Sequence, residues 1–258
     1  MADAYETFLD GLRRKKGLDL TGYKRPQMER RINSLMRSLK ITDYGIYLGL
    51  LEKEIAHWRK FLDTLTINVS EFYRNPSQWQ VLEEKILPEL IQASRSLKIW
   101  SAGCSTGEEP YTLTMVMMNR FPHINFTMLA TDVDDEVLNK ARTGVYNDKA
   151  VLNLPQNYIN GNFTKEGSNF KIKDEVKKRV NFMKHNLLTD AFDRNFDLIL
   201  CRNVVIYFTE ESKAQLYRKF YTGLKQNGIL FTGSTEQIFQ AREIGFSLVS
   251  SFFYKKGD

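Results

Sequence analysis

The chain has 258 residues, 42% hydrophobic and 26% charged, with a formal net charge of +6. That composition is ordinary for a globular protein, and the length allows one large domain and a small one. No apolar run approaches membrane-spanning length, and MADAYETFLDG carries no signal-peptide pattern, so a cytoplasmic protein without membrane insertion is expected. The two cysteines, Cys104 and Cys201, are too few for a disulfide framework or a structural zinc site. Both read as small residues in tight packing. The positive charge points to an acidic partner without naming it.

Up to about Leu65 the pattern is helical. Met28, Ile32, Leu35, Met36 and Leu39 fall on one face at helical spacing. Arg30, Asn33, Arg37 and Lys40 lie roughly opposite, and Lys24, Arg25 and Arg31 add charge nearby. Such a stripe is usually a solvated face. Here only Glu29 interrupts it, which favours a binding role. Thr42 or Asp43 can cap the next helix, and Ile55, Trp58, Leu62 and Leu65 mark another. Thr66–Pro76, TINVSEFYRNP, is too apolar and aromatic for a flexible linker. Asn75-Pro76 opens a further helix. Asn68, Ser70 and Arg74 cluster just ahead of it.

The most informative stretch is LKIWSAGCSTGEEPY, Leu97–Tyr111, followed by LATDVDDE, Leu129–Glu136. Leu97–Trp100 reads as a buried strand. Ser101–Gly107 is a small-residue loop, and a helix begins near Pro110. A second strand, Phe126–Ala130, runs to Asp132, the position that takes ribose hydroxyls in nucleotide-binding α/β halves. A P-loop would need Lys after Gly107, where Glu108 and Glu109 stand. The G-x-G-x-x-G dinucleotide fingerprint is absent. An acidic loop suits a ligand with a ribose and positive charge but no phosphate, which describes S-adenosylmethionine. The plainer account is that Glu108 and Glu109 complement the helix dipole, and one of them can do only that.

A helix at Asp135–Arg142 follows. Residues 146–180 then break the α/β alternation, with a hairpin turning at Gly167, and read as a small antiparallel insertion. Alternation resumes with strands at Val180–His185 and Phe196–Cys201, a helix at Glu210–Leu224 and a strand at Ile229–Thr232. Ser247–Lys255 supplies a late antiparallel pair. Four strand ends converge: Ser101–Gly107, Asp132, Asn186-Leu187 and Cys201–Asn203.

The ordered set TINVSEFYRN, WSAGCSTGEEPY, ATDVD, HNLL, CRNVVIYF and GSTEQI resembles the CheR family of chemotaxis-receptor glutamate methyltransferases, over nearly the whole chain. The chain looks most like the Bacillus-type members. The resemblance implies a Rossmann-like α/β methyltransferase sheet with a small antiparallel β insertion, preceded by an all-α domain. The expected divisions are a helical domain over 1–66, a connector contributing to the cofactor site over 67–80, and a methyltransferase domain over 81–258 with its insertion at 146–181. The implied reaction transfers a methyl group from S-adenosylmethionine to a receptor glutamate, leaving a γ-methyl ester and S-adenosylhomocysteine (SAH). Family cofactor contacts carry over onto Asn68, Ser70, Arg74, Glu109, Asp132, Asn186, Leu187, Arg202 and Asn203. The active-site tyrosine carries over onto Tyr207. Arg74 and Tyr207 are the expected catalytic pair, and Lys24, Arg25, Arg30, Arg31, Arg37 and Lys40 the receptor-binding set. The implied partners are methyl-accepting chemotaxis receptors, met by a monomer at receptor clusters.

The chemistry agrees with these residue types. A glutamate is ionised near neutral pH, so its oxygen needs no general base, and the protein must align and desolvate it. No catalytic triad or metal cluster is visible. The three histidines, His57, His123 and His185, are scattered and read as structural. A nucleic-acid amino-methyltransferase would carry a proline pair where Arg202-Asn203-Val204-Val205 stands. A non-catalytic regulator would not need Arg74 and Tyr207. The resemblance implies a longer, glycine-rich turn in members that tether to a receptor's C-terminal peptide, whereas here the insertion's turn is only Lys165–Asn169, with one glycine. A tether-independent enzyme is therefore expected.

Overall fold

The computed structural model describes residues 3–65 and 70–257. The described residues fall into two units, 3–65 with 207–214, and 70–206 with 215–257.

The first unit holds α1 (Ala4–Lys16), α2 (Arg25–Ser38), α3 (Tyr44–Lys53) and α4 (Ile55–Leu65). Asp3 caps α1 by accepting from the Tyr5 N–H, and Gly17 ends it at φ 67°. Asp43, one of the two expected caps, accepts from the Ile46 N–H at 2.8 Å. Tyr5, Phe8, Leu12, Met28, Ile32, Tyr47, Leu51 and Phe61 form the apolar core of this unit. Of the expected stripe, Met28, Ile32, Leu35 and Met36 are the buried face of α2, while Leu39 caps its end and packs half-buried against this core. Residues 207–214 belong here too: the Lys24 N–H donates to the Tyr207 carbonyl at 2.9 Å, and the Thr209 N–H to that of Gly22 at 2.9 Å.

The second unit begins with α5 (Pro76–Val81), a π-helical turn (Leu82–Ile86) and α6 (Leu87–Ala93). Then come β1 (Ser96–Ala102), α7 (Glu108–Arg120), β2 (Asn125–Asp132) and α8 (Asp135–Thr143). The insertion follows as β3 (Val145–Asn147), α9 (Gln156–Asn162), β4 (Phe163–Glu166), β5 (Asn169–Ile172) and α10 (Asp174–Lys177). The remainder is β6 (Val180–Lys184), β7 (Phe196–Cys201), a 3₁₀ turn (Val205–Tyr207), α11 (Glu210–Gly223), β8 (Leu224–Thr232), α12 (Ala241–Ile244), β9 (Phe246–Ser250) and β10 (Phe253–Lys256).

The main sheet has the order β6-β2-β1-β7-β8-β10-β9. Its first five strands are parallel, and β10 and β9 close the edge antiparallel. From β1 the chain winds outward through β2 to β6, then returns to pair β7 with β1. The order therefore reverses between β1 and β7, and the crevice at a parallel sheet's carboxyl edge opens at such a reversal. Every residue of β7 is buried, as expected for a strand covered on both faces. The insertion is a separate sheet, β3-β5-β4. Its hairpin turns at Gly167 as expected. The strand Val145–Asn147, pairing with β5, had no period-two signal long enough to announce it.

Candidate functional site

The loop from β1 to α7 is held by the end of β2. The Gly103 and Cys104 N–H groups both donate to the Thr131 carbonyl at 2.8 Å. Gly103 sits at φ 83°, and a Cβ there would meet Val204 Cγ2 at 2.5 Å, so the glycine is required by packing as well as by conformation. Helix α7 starts at Glu108, two residues before the expected Pro110. Glu108 and Glu109 are thus its first residues.

The two glutamates divide their work. Glu108 is buried, and its carboxylate accepts from the Thr106 hydroxyl at 2.7 and 2.9 Å and from the Ser70 hydroxyl. It closes the loop onto the helix, and Ser70 acts here through Glu108. Glu109 accepts from the Ser101 hydroxyl at 2.8 Å and pairs with Arg202 Nη1 at 3.4 Å. Burial pushes its carboxyl up, and Arg202 and Arg74 oppose that. Burial likewise pushes the Arg202 guanidinium down, against the pull of Glu109.

Arg202 is also a pin. Its Nη2 donates to the Arg74 carbonyl at 2.8 Å, to Asn75 Oδ1 at 3.2 Å and to Gln78 Oε1 at 3.0 Å. Its guanidinium stacks 4.6 Å from the Phe231 ring centroid. Arg202, expected as a cofactor contact, thereby also holds the segment that carries Arg74.

Asp132 ends β2. Oδ2 accepts from the Ser105 N–H at 2.8 Å and Oδ1 from that of Asp134 at 3.1 Å. Burial raises its pKa from 3.8 to about 6, despite these amides and that of Val133. Asp134, which is buried, caps α8 through the Glu136 N–H at 2.8 Å. Past β6, the Asn186 side chain accepts from the Leu188 N–H at 3.0 Å, and the Leu187 carbonyl accepts from Lys219 Nζ at 2.8 Å. His185 packs against Trp100 and Phe192, and burial lowers its pKa.

Sequence reasoning did not assign Glu236, although GSTEQI contains it. This buried carboxylate accepts from the N–H groups of Asn203 at 2.6 Å, Val205 at 2.9 Å and Gly233 at 2.8 Å. It fixes the turn after β7, where Asn203 adopts φ 61°. A buried acid whose partners are all backbone amides leaves no trace in a sequence. The two cysteine thiols are buried and pushed well above their usual range, as packing residues would be.

Asn68 lies outside the described residues. Tyr207 belongs to the helical unit, with the Arg31 guanidinium 4.9 Å from its ring centroid. The basic set is less uniform than the sequence implied. Arg31 also donates to the Leu65 carbonyl, and Lys24 lies 3.7 Å from Glu210. Arg25 is ringed by Asp3, Glu6 and Glu29, two of them from α1 and its cap, so its charge is matched locally. Arg30, Arg37 and Lys40 remain exposed.

A doubly wound sheet with two half-buried acids at its switch point, Glu109 and Asp132, defines a Rossmann-like methyltransferase domain. The match to known proteins goes further. Residues 3–66 match the model of the CheR methyltransferase all-alpha domain, and residues 68–252 that of the CheR methyltransferase SAM-binding domain. The chain is 40% identical to a chemotaxis protein methyltransferase of Listeria innocua, covering 98% of this chain and 97% of that one. It is 34% identical to those of Borreliella burgdorferi, covering 93% and 89%, and Escherichia coli, covering 93% and 86%. The chain belongs to the CheR methyltransferase family. It is an S-adenosylmethionine-dependent methyltransferase of chemotaxis. Among the described residues no helix is long and apolar enough to cross a membrane.

The site's donor set fits that cofactor. A carboxylate offers about four acceptor directions, and loop amides of Ser105, Asp134 and Val133 use three of those on Asp132, leaving capacity for a ribose hydroxyl. Two acids at the start of α7 would repel a phosphate but favour a ligand bearing an ammonium and a sulfonium.

Proposed function

We propose that this enzyme methylates glutamate side chains on the cytoplasmic helices of chemotaxis receptors, giving γ-methyl esters. The observation carrying this reading is the pair of half-buried Glu109 and buried Arg202, with Arg74 in its field, beside Asp132 on the next strand. The names of the relatives, chemotaxis protein methyltransferases, give the biological setting.

Bound S-adenosylmethionine supplies an electrophilic methyl group. Asp132 would take the ribose hydroxyls, Glu109 the ammonium, and the turn at Asn186-Leu187, Asn203 and the segment with Asn68 and Ser70 the remaining edges. Arg74 would orient a carboxylate, and Tyr207 would donate a hydrogen bond to the incoming glutamate. Neither removes a proton, because a glutamate carboxylate is already the nucleophile. Both must hold it loosely, since a strong bond would lower its nucleophilicity. The residues' task is alignment and exclusion of water. Arg30, Arg37 and Lys40, with Lys24, Arg25 and Arg31 behind them, would meet the acidic receptor helices. The hairpin of the insertion is even tighter than expected. Lys165 and Glu166 lie in β4 and Asn169 in β5, leaving only Gly167-Ser168 between strands. This supports a tether-independent encounter; the enzyme would meet receptor clusters as a monomer.

The test is incubation with methyl-labelled S-adenosylmethionine and receptor cytoplasmic fragments. The expected label is released as methanol by mild alkali and disappears when the acceptor glutamates become alanine. Alkali-stable label would refute glutamate as the acceptor. Micromolar binding of a receptor C-terminal pentapeptide would refute tether independence.

A further inference from the structure

The backbone around Arg74 is strained. Tyr73 has φ 56° and Asn75 φ 60°, so two non-glycine residues flanking Arg74 are left-handed. Such conformations persist only where their surroundings over-determine them. Here the Tyr73 N–H donates to Thr112 Oγ1 at 3.2 Å, and its ring stacks on Trp79 at 5.7 Å. Its hydroxyl donates to Glu83 Oε1 at 2.7 Å.

Glu83 is only 4% exposed and lies in the π-helical turn Leu82–Ile86. A π-turn inside a helix frequently marks a functional site. Its other oxygen, Oε2, accepts from Arg120 Nη1 at 2.7 Å and from the Tyr158 hydroxyl at 3.3 Å. Tyr158 belongs to α9 of the insertion. The insertion grips the same segment at three more points. The Phe72 N–H donates to the Ala150 carbonyl at 3.0 Å. The Phe72 ring meets Tyr146 at 4.8 Å and Phe163 at 5.4 Å. Asn153 Nδ2 donates to Glu71 Oε2 at 3.2 Å.

We propose that Glu83 is a positioning residue for methyl transfer, and that the insertion serves through it as the wall fixing the Arg74 backbone. Glu83 touches no reacting atom. It couples Tyr73, Arg120 and the insertion's Tyr158 at one buried carboxylate, so the strained turn has one conformation. The inference rests on the reading of Arg74 as an active-site residue.

The experiment uses the full chain with Tyr73→Phe, Tyr158→Phe, Glu83→Gln and, as reference, Arg74→Ala. The phenylalanine variants each remove one hydroxyl, so they keep the test informative if Glu83→Gln fails to fold. Amide hydrogen exchange across residues 70–76 is compared with β1 and β7. Steady-state kcat and KM are measured with a receptor fragment. The expected result is faster exchange confined to 70–76 and kcat lowered on the order of tenfold in Tyr158→Phe, since small misplacement of an orienting group is costly. Exchange at 70–76 unchanged, or faster everywhere in proportion to lost stability, overturns the proposal. So does unchanged kcat in both phenylalanine variants when Arg74→Ala is inactive. A fully active Arg74→Ala would instead overturn the reading of the site beneath it.

Discussion

Asp132 gives the sharpest test of the cofactor site, because its burial sets two opposite pH dependences. In the free protein its pKa rises from 3.8 to about 6. The folded state therefore binds the proton more tightly than the unfolded chain. Stability contributed by this group is full below about 4, falls as pH rises to about 6, and is flat above. Two units correspond to a penalty of about 3 kcal/mol at neutral pH, an upper figure for a single site. Binding runs the other way. A ribose hydroxyl donates to the ionised carboxylate, so SAH affinity should reach a plateau above pH 7. It should fall about tenfold per unit below about 6, to roughly a tenth of the plateau at pH 5. The ligand's ammonium and carboxylate keep their charges across that range. The assay is calorimetric titration with SAH from pH 5 to 8, on the wild type and Asp132→Asn. Asparagine removes the titration but turns one donor toward the amide of Ser105 or Asp134, so plateau affinity and stability both change. The diagnostic is the slope. Glu109, also raised by burial, contributes equally to both proteins. Parallel pH curves for wild type and variant would refute the assignment of Asp132 to the ribose.

Three further outcomes follow from contacts already described. Glu236→Gln sets an N–H₂ against at least one of the amides of Asn203, Val205 and Gly233. A loss of about 1–3 kcal/mol in chemical denaturation, with weaker SAH binding, is expected, and unchanged stability would remove its role in the turn after β7. Gly103→Ala forces a Cβ to within 2.5 Å of Val204 at φ 83° and should lower thermal stability by several degrees, read by calorimetry. Arg30→Glu combined with Arg37→Glu should slow receptor methylation and flatten its salt dependence while leaving SAH affinity unchanged. Wild-type salt dependence in the double variant would mean that the exposed stripe is only solvated.

The parts legible in the sequence were those written in local pattern. β7 is six consecutive apolar or buried residues, Phe196–Cys201, and its bounds are the expected ones. β8 is not: Leu224–Asn227 joins the strand five residues ahead of the expected Ile229, because pairing with Phe196 extends it through polar positions. The site divides in the same way. Asp132 follows from its place after the second strand, a property of chain order. The separate roles of Glu108 and Glu109 do not, since adjacent helical residues differ only in which neighbours lie about 100° apart around the axis. Thr106 and Ser70 face one, Ser101 and Arg202 the other. The basic stripe divides for a related reason. Along α2 only Glu29 opposes Arg25, yet two more acids reach it from α1 and its cap, Glu6 and Asp3. Charge complementarity across helices is a tertiary fact. What most separates the structure from the pattern is that the polar groups around Arg74 are satisfied by residues far away in the chain. Arg202 comes from the end of β7, Thr112 from α7, and Ala150 and Tyr158 from the insertion. Each of these residues, read alone, has an ordinary structural explanation. Arg74 itself is named by the family resemblance; what holds its turn is their convergence on one strained segment, and convergence is what one-dimensional periodicity cannot carry.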